Sequence, residues 1–297
     1  MFVLWNEKAI LVMNSFLNLF KKKDSASPNS YIEKDSFTGV WGDVSRKVIE
    51  GEYSRIFIGK PRVLVLQTSR PLWDKKEIPS AFRELCGEFG HRIEQDAEPE
   101  EQVPVFAGRV CYQSFGNKAG RKSAEEYLQH IMEVGHYSVL EHSHVTIYVD
   151  RVPRFWSHEQ VRHRHFNYSQ LSQRFFVPDK VELIVPPALW EEKGIEEEFL
   201  DYGEKIGKEY ASRLGDLYNN IGTDSFALKK KSREAARAIL PECTETKMVI
   251  TGNFRSWIEY LSKRDSPDAD ATFQEVAKLI RVQLQRIAPN IFIKQKD

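Results

Sequence analysis

Arg162, His163, Arg164 and His165 stand side by side, and Arg174 follows after a short polar and aromatic run, in the stretch RHRHFNYSQLSQR. A guanidinium keeps its charge at any ordinary pH and presents a planar fork of donors that grips phosphate through two bonds at once. A small phosphorylated ligand needs only a few such forks with hydroxyls nearby, and Arg162, Ser172 and Arg174 are the first candidates. Arg237 is a further one, set in Ser-Arg-Glu-Ala-Ala-Arg-Ala-Ile-Leu-Pro, where Ala235, Ala236 and Ala238 leave room for a ligand or another helix. Taken singly, each arginine is more simply a surface ion pair. The constellation is what points to an anion site.

Other chemistries fit the same residues less well. Lys plus Arg equals Asp plus Glu at 43 each, so no bulk charge draws the molecule to nucleic acid or an anionic membrane. Arg162, Arg164, His165, Tyr168 and Arg174 mix basic and aromatic groups as single-strand binders do, and Lys229, Lys230, Lys231 and Arg233 make a second basic run. A lysine run beside a helix is more often a solvated face. Seven of the eight histidines fall between 130 and 165, but no HExxH or paired Cys/His pattern accompanies them, which argues against a metal site. Hydrogen-bonded histidines at a polar edge of the core are the simpler reading for His130 and His158.

Local patterns predict the elements that must hold these residues. Val63 to Leu66 reads as a short strand, and Glu94 to Glu101, closed by Pro104, as a loop. Ser123 to Glu126 has capping-box spacing before a helical stripe of Tyr127, Leu128, Ile131 and Met132 that stops at Gly135. Val145, Ile147 and Val149 alternate as a half-buried strand does. A helix from about 153 to 164 follows, with Pro153 in its first turn and the basic cluster at its C-terminal end, where the helix dipole favours cations. After a polar loop, Phe175 to Val177 and Val181 to Val185 read as strands. Regions 188 to 220 and 226 to 240 read as helical, 247 to 251 as a strand, 253 to 264 as a helix, and 273 to 287 as an amphipathic helix.

The chain has 297 residues and is 41% hydrophobic, enough for one large domain. Cys86, Cys111 and Cys243 are an odd number without metal spacing, which fits reduced thiols and a cytoplasmic protein. Residues 1 to 60 read as an N-terminal extension, irregular from 24 to 60, ahead of a single catalytic domain at 61 to 297. The apolar start is interrupted by Asn6, Glu7 and Lys8, too broken for a spanning helix, and Lys21 to Lys23 lie on the wrong side of it for a signal peptide. A tail with Met13 as another start, or a surface-associated helix, are the readings left for it.

Arg162-His163-Arg164, seven residues and then Ser172 form the RHR-x7-S signature, and the chain resembles the flavin-dependent thymidylate synthases, with SHEQVRHRHFNYSQLSQRF closest to the actinobacterial members. GHYSVLEH from Gly135, ARAILP from Ala236, and TGNFR from Thr251 followed by Arg264 recur in that family's order, so the resemblance covers about 105 to 290. It implies an α+β fold, a mixed or antiparallel sheet packed with helices, assembled as a homotetramer whose sites are shared between subunits. It implies conversion of dUMP to dTMP with FAD as cofactor and 5,10-methylenetetrahydrofolate and NADPH as co-substrates. No metal, nucleic acid or membrane partner is expected.

By position, Ser138, Arg162, His163, Arg164, Gln170, Asn253, Phe254, Arg255 and Glu259 resemble the family's flavin contacts. Glu159, Arg162, Gln170, Leu171, Ser172, Gln173, Arg174, Arg237 and Arg264 resemble its dUMP contacts. Arg264 resembles the activating residue, a guanidinium at the uracil edge that stabilises negative charge as N3 ionises, so no cysteine nucleophile is required. Glu159 stands where many members have Gln, Glu259 where they have His or Asn, and Asp268 and Thr272 where a His and a Glu are usual. Those departures keep open a catalytically impaired relative that binds nucleotide or RNA. A cysteine-dependent synthase is the other enzyme reading.

Overall fold

A computed structural model of the protein describes residues 31–32, 46–72, 97–114 and 123–292. The apolar N-terminal stretch, Lys21 to Lys23 and Cys86 lie outside the described residues. After a two-residue strand, Tyr31–Ile32, the order is β1 (Arg46–Glu50), β2 (Ser54–Gly59), β3 (Arg62–Thr68), α1 (Pro99–Tyr112), α2 (Ala124–Glu133), β4 (His144–Pro153), α3 (Arg154–Gln160), β5 (Phe166–Gln170), β6 (Val181–Ile184), α4 (Ile195–Ile221), α5 (Phe226–Ala236), β7 (Glu245–Asn253), α6 (Phe254–Arg264) and α7 (Ala271–Ile287). Among the described residues no helix is long and apolar enough to cross a membrane.

The sheet that positions the candidate residues runs β3, β4, β7, β5, antiparallel throughout. The alternation read at Val145, Ile147 and Val149 is its cause: all three are fully buried against α6 and α7, together with Ile250, Trp257, Phe273 and Ile280. Gly252 has a packing reason. A Cβ there would lie 2.3 Å from the Phe166 ring, so only glycine lets that ring lie across the strand. Phe166 then meets Trp257 edge to face at 4.6 Å, which seats the start of β5 on α6.

One helix start follows the predicted cap at Ser123; a second is capped by Asn253, which the sequence marks only as the start of a helical stretch. Ser123 accepts from the Glu126 amide, and Asn253 Oδ1 accepts from Ser256 N and Oγ, 2.8 Å each, a cap worth about 1 kcal/mol. α7 keeps one apolar face, with Phe273, Val276, Ala277, Ile280 and Leu284 buried.

Residues 46 to 59 are not the irregular lead-in expected. β1 pairs antiparallel with β2, and β2 pairs parallel with β6, building a second sheet over Ile56, Leu183, Tyr210 and Leu214. What orders them is distant in sequence: Glu204 on α4 accepts from Tyr53 N, Ser54 N and Ser54 Oγ. The predicted loop at Glu94 to Glu101 is corrected as well for its described part, because α1 starts at Pro99 with a capping box between Glu98 and Glu101. Pro104 is accommodated inside α1: the Glu100 carbonyl it cannot bond to accepts from Ser143 Oγ at 2.7 Å.

Two further corrections touch the basic stretch. α3 ends at Gln160, so Arg162 to His165 form a turn beyond the helix, and the run read as a polar loop contains β5. The Tyr168 hydroxyl explains both, lying 2.7 Å from the Gln160 and the His163 carbonyl with its one proton shared between them, and so tying the end of the helix to the neighbouring strand. Phe175 to Val177 is no strand: the Ser172 carbonyl accepts from the amides of Phe175 and Phe176, turning the chain there.

Candidate active site

α3 and β5 lie side by side, tied by Tyr168 to Gln160 and by Gln170 Nε2 to Ser157 Oγ at 2.7 Å. The candidate residues therefore divide between two ends. Arg162 to Phe166 lie at one, with α6 above them; Gln170 to Arg174 lie at the other, where β7 begins and the Leu171 amide bonds to Lys247 O.

At the first end, Arg162, His163, Arg164, His165, Phe166, Ser256, Glu259 and Lys263 line a cavity of about 180 Å³. Glu259 is engaged by Lys263 at 2.5 Å. Among the described residues, Arg162 and Arg164 have no acidic partner. Unneutralised guanidiniums beside the Ser256 hydroxyl can bind phosphate oxygens.

Arg264 closes this end. Its Nε donates to His163 Nε2 at 3.0 Å, its Nη1 to Glu159 at 3.1 Å, and its guanidinium carbon lies 4.1 Å from the centroid of the Phe273 ring. Burial and the neighbouring Arg264 push the His163 pKa down to about 4, so the imidazole is neutral. A neutral acceptor and an exposed carboxylate orient the guanidinium through Nε and Nη1.

At the second end, Gln170 Nε2 also reaches Thr246 Oγ1 at 3.1 Å, and Ser172 Oγ accepts from the Arg174 amide at 3.4 Å. Arg174 Nη2 pairs with Glu234 at 2.5 Å, one turn before Arg237. Gln173 and Leu171 are half-buried beside them.

Several candidates stand apart from the cavity. Ser138 is exposed on a short 3-10 helix (Tyr137–His142), and Arg255 is exposed and paired with Glu141 at 2.6 Å. Asn253 is spent on capping α6, and the Phe254 side chain is wholly in the core, so only its backbone can face a ligand. Sequence reasoning missed Phe273 and Lys263, whose helical periodicity marks only a core face and a solvated one. It also left Tyr168 without a role.

Neither described cysteine lines the cavity. Burial pushes the Cys243 thiol up to about 11, which leaves it a thiol at neutral pH. The histidines are dispersed: His136 bonds to Tyr112, His158 to Glu242 and His163 to Arg264.

A family model described as "Thymidylate synthase complementing protein" matches residues 92–290. A flavin-dependent thymidylate synthase of Corynebacterium glutamicum is 40% identical over 200 residues, 66% of this chain and 80% of the relative. That of Corynebacterium diphtheriae is 37% identical over 204 residues, 68% of this chain and 81% of the relative. The Mycobacterium tuberculosis protein of the same description is 39% identical over 202 residues, with 66% and 80% covered.

Proposed function

The chain belongs to the thymidylate synthase complementing protein family, and on that premise we propose that it is a flavin-dependent thymidylate synthase making dTMP from dUMP. We take 5,10-methylenetetrahydrofolate as the carbon donor and NADPH as the reductant, with FAD between them. The observation that carries the reading is Arg264, held by His163, Glu159 and Phe273 beside a cavity lined with unneutralised arginines.

The residues present fit a flavin dinucleotide. Arg162, Arg164 and Lys263 supply positive charge for its pyrophosphate, with Ser256 and His163 between them. Ser138, Gln170, Arg255, Glu259 and the backbones of Asn253 and Phe254 complete the proposed contacts. A flavin bound there supplies the reducing equivalents that finish the methyl group.

The chain's own contribution is orientation and charge. Arg264 faces the uracil of dUMP and stabilises negative charge as N3 gives up its proton, which raises electron density at C5. The neutral His163 holds Arg264 Nε without adding a second negative charge to that of Glu159 at Nη1. Cys243 stays protonated and neither it nor Cys111 lines the cavity, which supports giving activation to Arg264 rather than to a thiolate. Gln170 to Arg174 and Arg237 hold the rest of the nucleotide, and Glu159, turned to Arg264, stays clear of its phosphate.

A cavity of about 180 Å³ is below the roughly 300 to 1,000 Å³ of a small-molecule pocket. This supports a homotetramer in which other subunits furnish the remaining walls; the compartment proposed for it, from the cysteine content, is the cytoplasm. The test is product formation from dUMP, methylenetetrahydrofolate, NADPH and FAD: dTMP is expected, and flavin binding with no dUMP-dependent oxidation of the reduced protein would sink the reading.

A further inference from the structure

β4 carries a bulge where it passes the end of the site proposed for dUMP. Its register with β7 shifts between Val149 and Val152, so Asp150 and Arg151 together stand opposite Lys247. Arg151 takes a left-handed backbone there, with φ at 55°, a conformation that strains any residue with a Cβ and persists only where neighbours hold it. Three contacts join that bulge to β7 and to the segment after β5. The Lys247 carbonyl accepts from the Leu171 amide at 2.9 Å, Thr246 Oγ1 lies 3.1 Å from Gln170 Nε2, and the Arg151 amide donates to Glu245 Oε1 at 3.1 Å. A backbone change at Arg151 therefore shifts the first residues of β7 and, with them, Gln170 and Leu171.

One support of Arg151 comes from the hairpin of β1 and β2, residues 46 to 59, which lies outside the residues 92–290 that the family model matches. The Arg151 guanidinium carbon lies over the Phe57 ring, 5.1 Å from its centroid. The hairpin is itself fixed to other elements. The Phe57 carbonyl accepts from Val185 N at 3.0 Å, and the Tyr53 carbonyl accepts from Val181 N at 2.9 Å. α4 is shaped to admit the second of these bonds: a Cβ at Gly207 would lie 2.3 Å from the Tyr53 carbonyl oxygen, and one at Gly203 would lie 2.9 Å from Ser54 Cβ. Arg151 thus leans on an element that is anchored independently of it.

We infer that the β1–β2 hairpin is a positioning element for the nucleotide end of the site, with Phe57 as its contact residue: by seating Arg151 in the bulge it keeps Gln170 and Leu171 in place for the pyrimidine nucleotide. The inference rests on the thymidylate synthase reading and deepens it. Phe57 acts through Arg151 rather than on the nucleotide.

Phe57→Leu, Phe57→Tyr and the double variant Phe57→Leu with Arg151→Gly test it, each measured by equilibrium dialysis against dUMP and by titration with FAD. Phe57→Leu keeps an apolar side chain but loses the ring face, and should bind dUMP about 3- to 10-fold more weakly. Its FAD binding should hold within about 2-fold, because Arg162, Arg164 and Lys263 stand on other elements. Phe57→Tyr keeps the ring and should match wild type. In the double variant glycine adopts the left-handed backbone unaided, so dUMP binding should return to within about 2-fold of wild type. Unchanged dUMP binding in Phe57→Leu would overturn the inference, as would equal losses for dUMP and FAD, the mark of general loosening, or a double variant that binds no tighter than Phe57→Leu. Wild-type protein that binds no dUMP would instead overturn the nucleotide reading, and this inference with it.

Discussion

Arg264 Nε donates to Nε2 of His163 across 3.0 Å, and the direction of that bond fixes the state of the histidine. A guanidinium has no acceptor, so Nε2 must carry the lone pair and the ring proton sits on Nδ1. The RHR turn and the end of α6 are thereby joined through a neutral imidazole that holds a permanently charged group.

A pH dependence follows from it. The His163 pKa falls from 6.5 to about 4 in the folded protein, so between those values the unfolded chain takes up a proton that the native one refuses. The stability concerned is present above about 6.5 and is lost as pH falls toward 4. His163→Gln should flatten that acid slope in thermal unfolding followed from pH 7 to pH 4. Parallel slopes for variant and wild type would contradict it.

Arg264→Ala should retain flavin, because Arg162, Arg164 and Lys263 remain, yet lose turnover by about 10²-fold or more, as when one preorganised charge-stabilising donor is removed. Arg264→Lys should recover little of it, since an ammonium cannot reach His163 and Glu159 in the same fork geometry. Flavin absorbance beside steady-state rates checks both, and near-normal turnover in the Ala variant would remove Arg264 from the mechanism.

Tyr168→Phe should cost about 1 to 3 kcal/mol, because two carbonyls at the α3 end lose the hydroxyl that both share. Denaturant midpoints measure it. The variant should also hold flavin less firmly, as His163 and its neighbours loosen, whereas a midpoint equal to wild type would show that the hydroxyl has no such role.

Glu245 gives the opposite pH slope. Burial, with Glu182 and Asp150 nearby, raises its pKa from 4.5 to about 8 against the pull of Lys247. The native protein keeps a proton there that the unfolded chain gives up, so stability declines as pH rises from 4.5 to 8. Glu245→Gln keeps an acceptor for the Arg151 amide and should unfold at a higher temperature than wild type at pH 8, with little difference at pH 5. Equal unfolding temperatures at pH 8 would rule out the buried proton.

What the sequence disclosed was local. Ser123 caps a helix a few residues away, Val145 to Val149 alternate against one core, and α7 repeats its apolar face, so each signal lies within its own element. The strands at 46 to 59 escaped because Glu204 and β6, which order them, lie more than a hundred residues downstream. β5 escaped because it is an edge strand whose outward residues, Asn167 and Ser169, are as polar as a loop's. For the site, the RHR-x7-S spacing brought together the residues on the two ends of β5. The Arg264 contacts to His163 and Glu159 exist only once the sheet and α3 are in place.

Flavin dependence is the central claim, and dTMP formation by protein stripped of its flavin, assayed with and without added FAD, tests it most directly. The account predicts no product from dUMP, methylenetetrahydrofolate and NADPH until FAD is restored. Product formed without flavin, and abolished by replacing a cysteine, would contradict it.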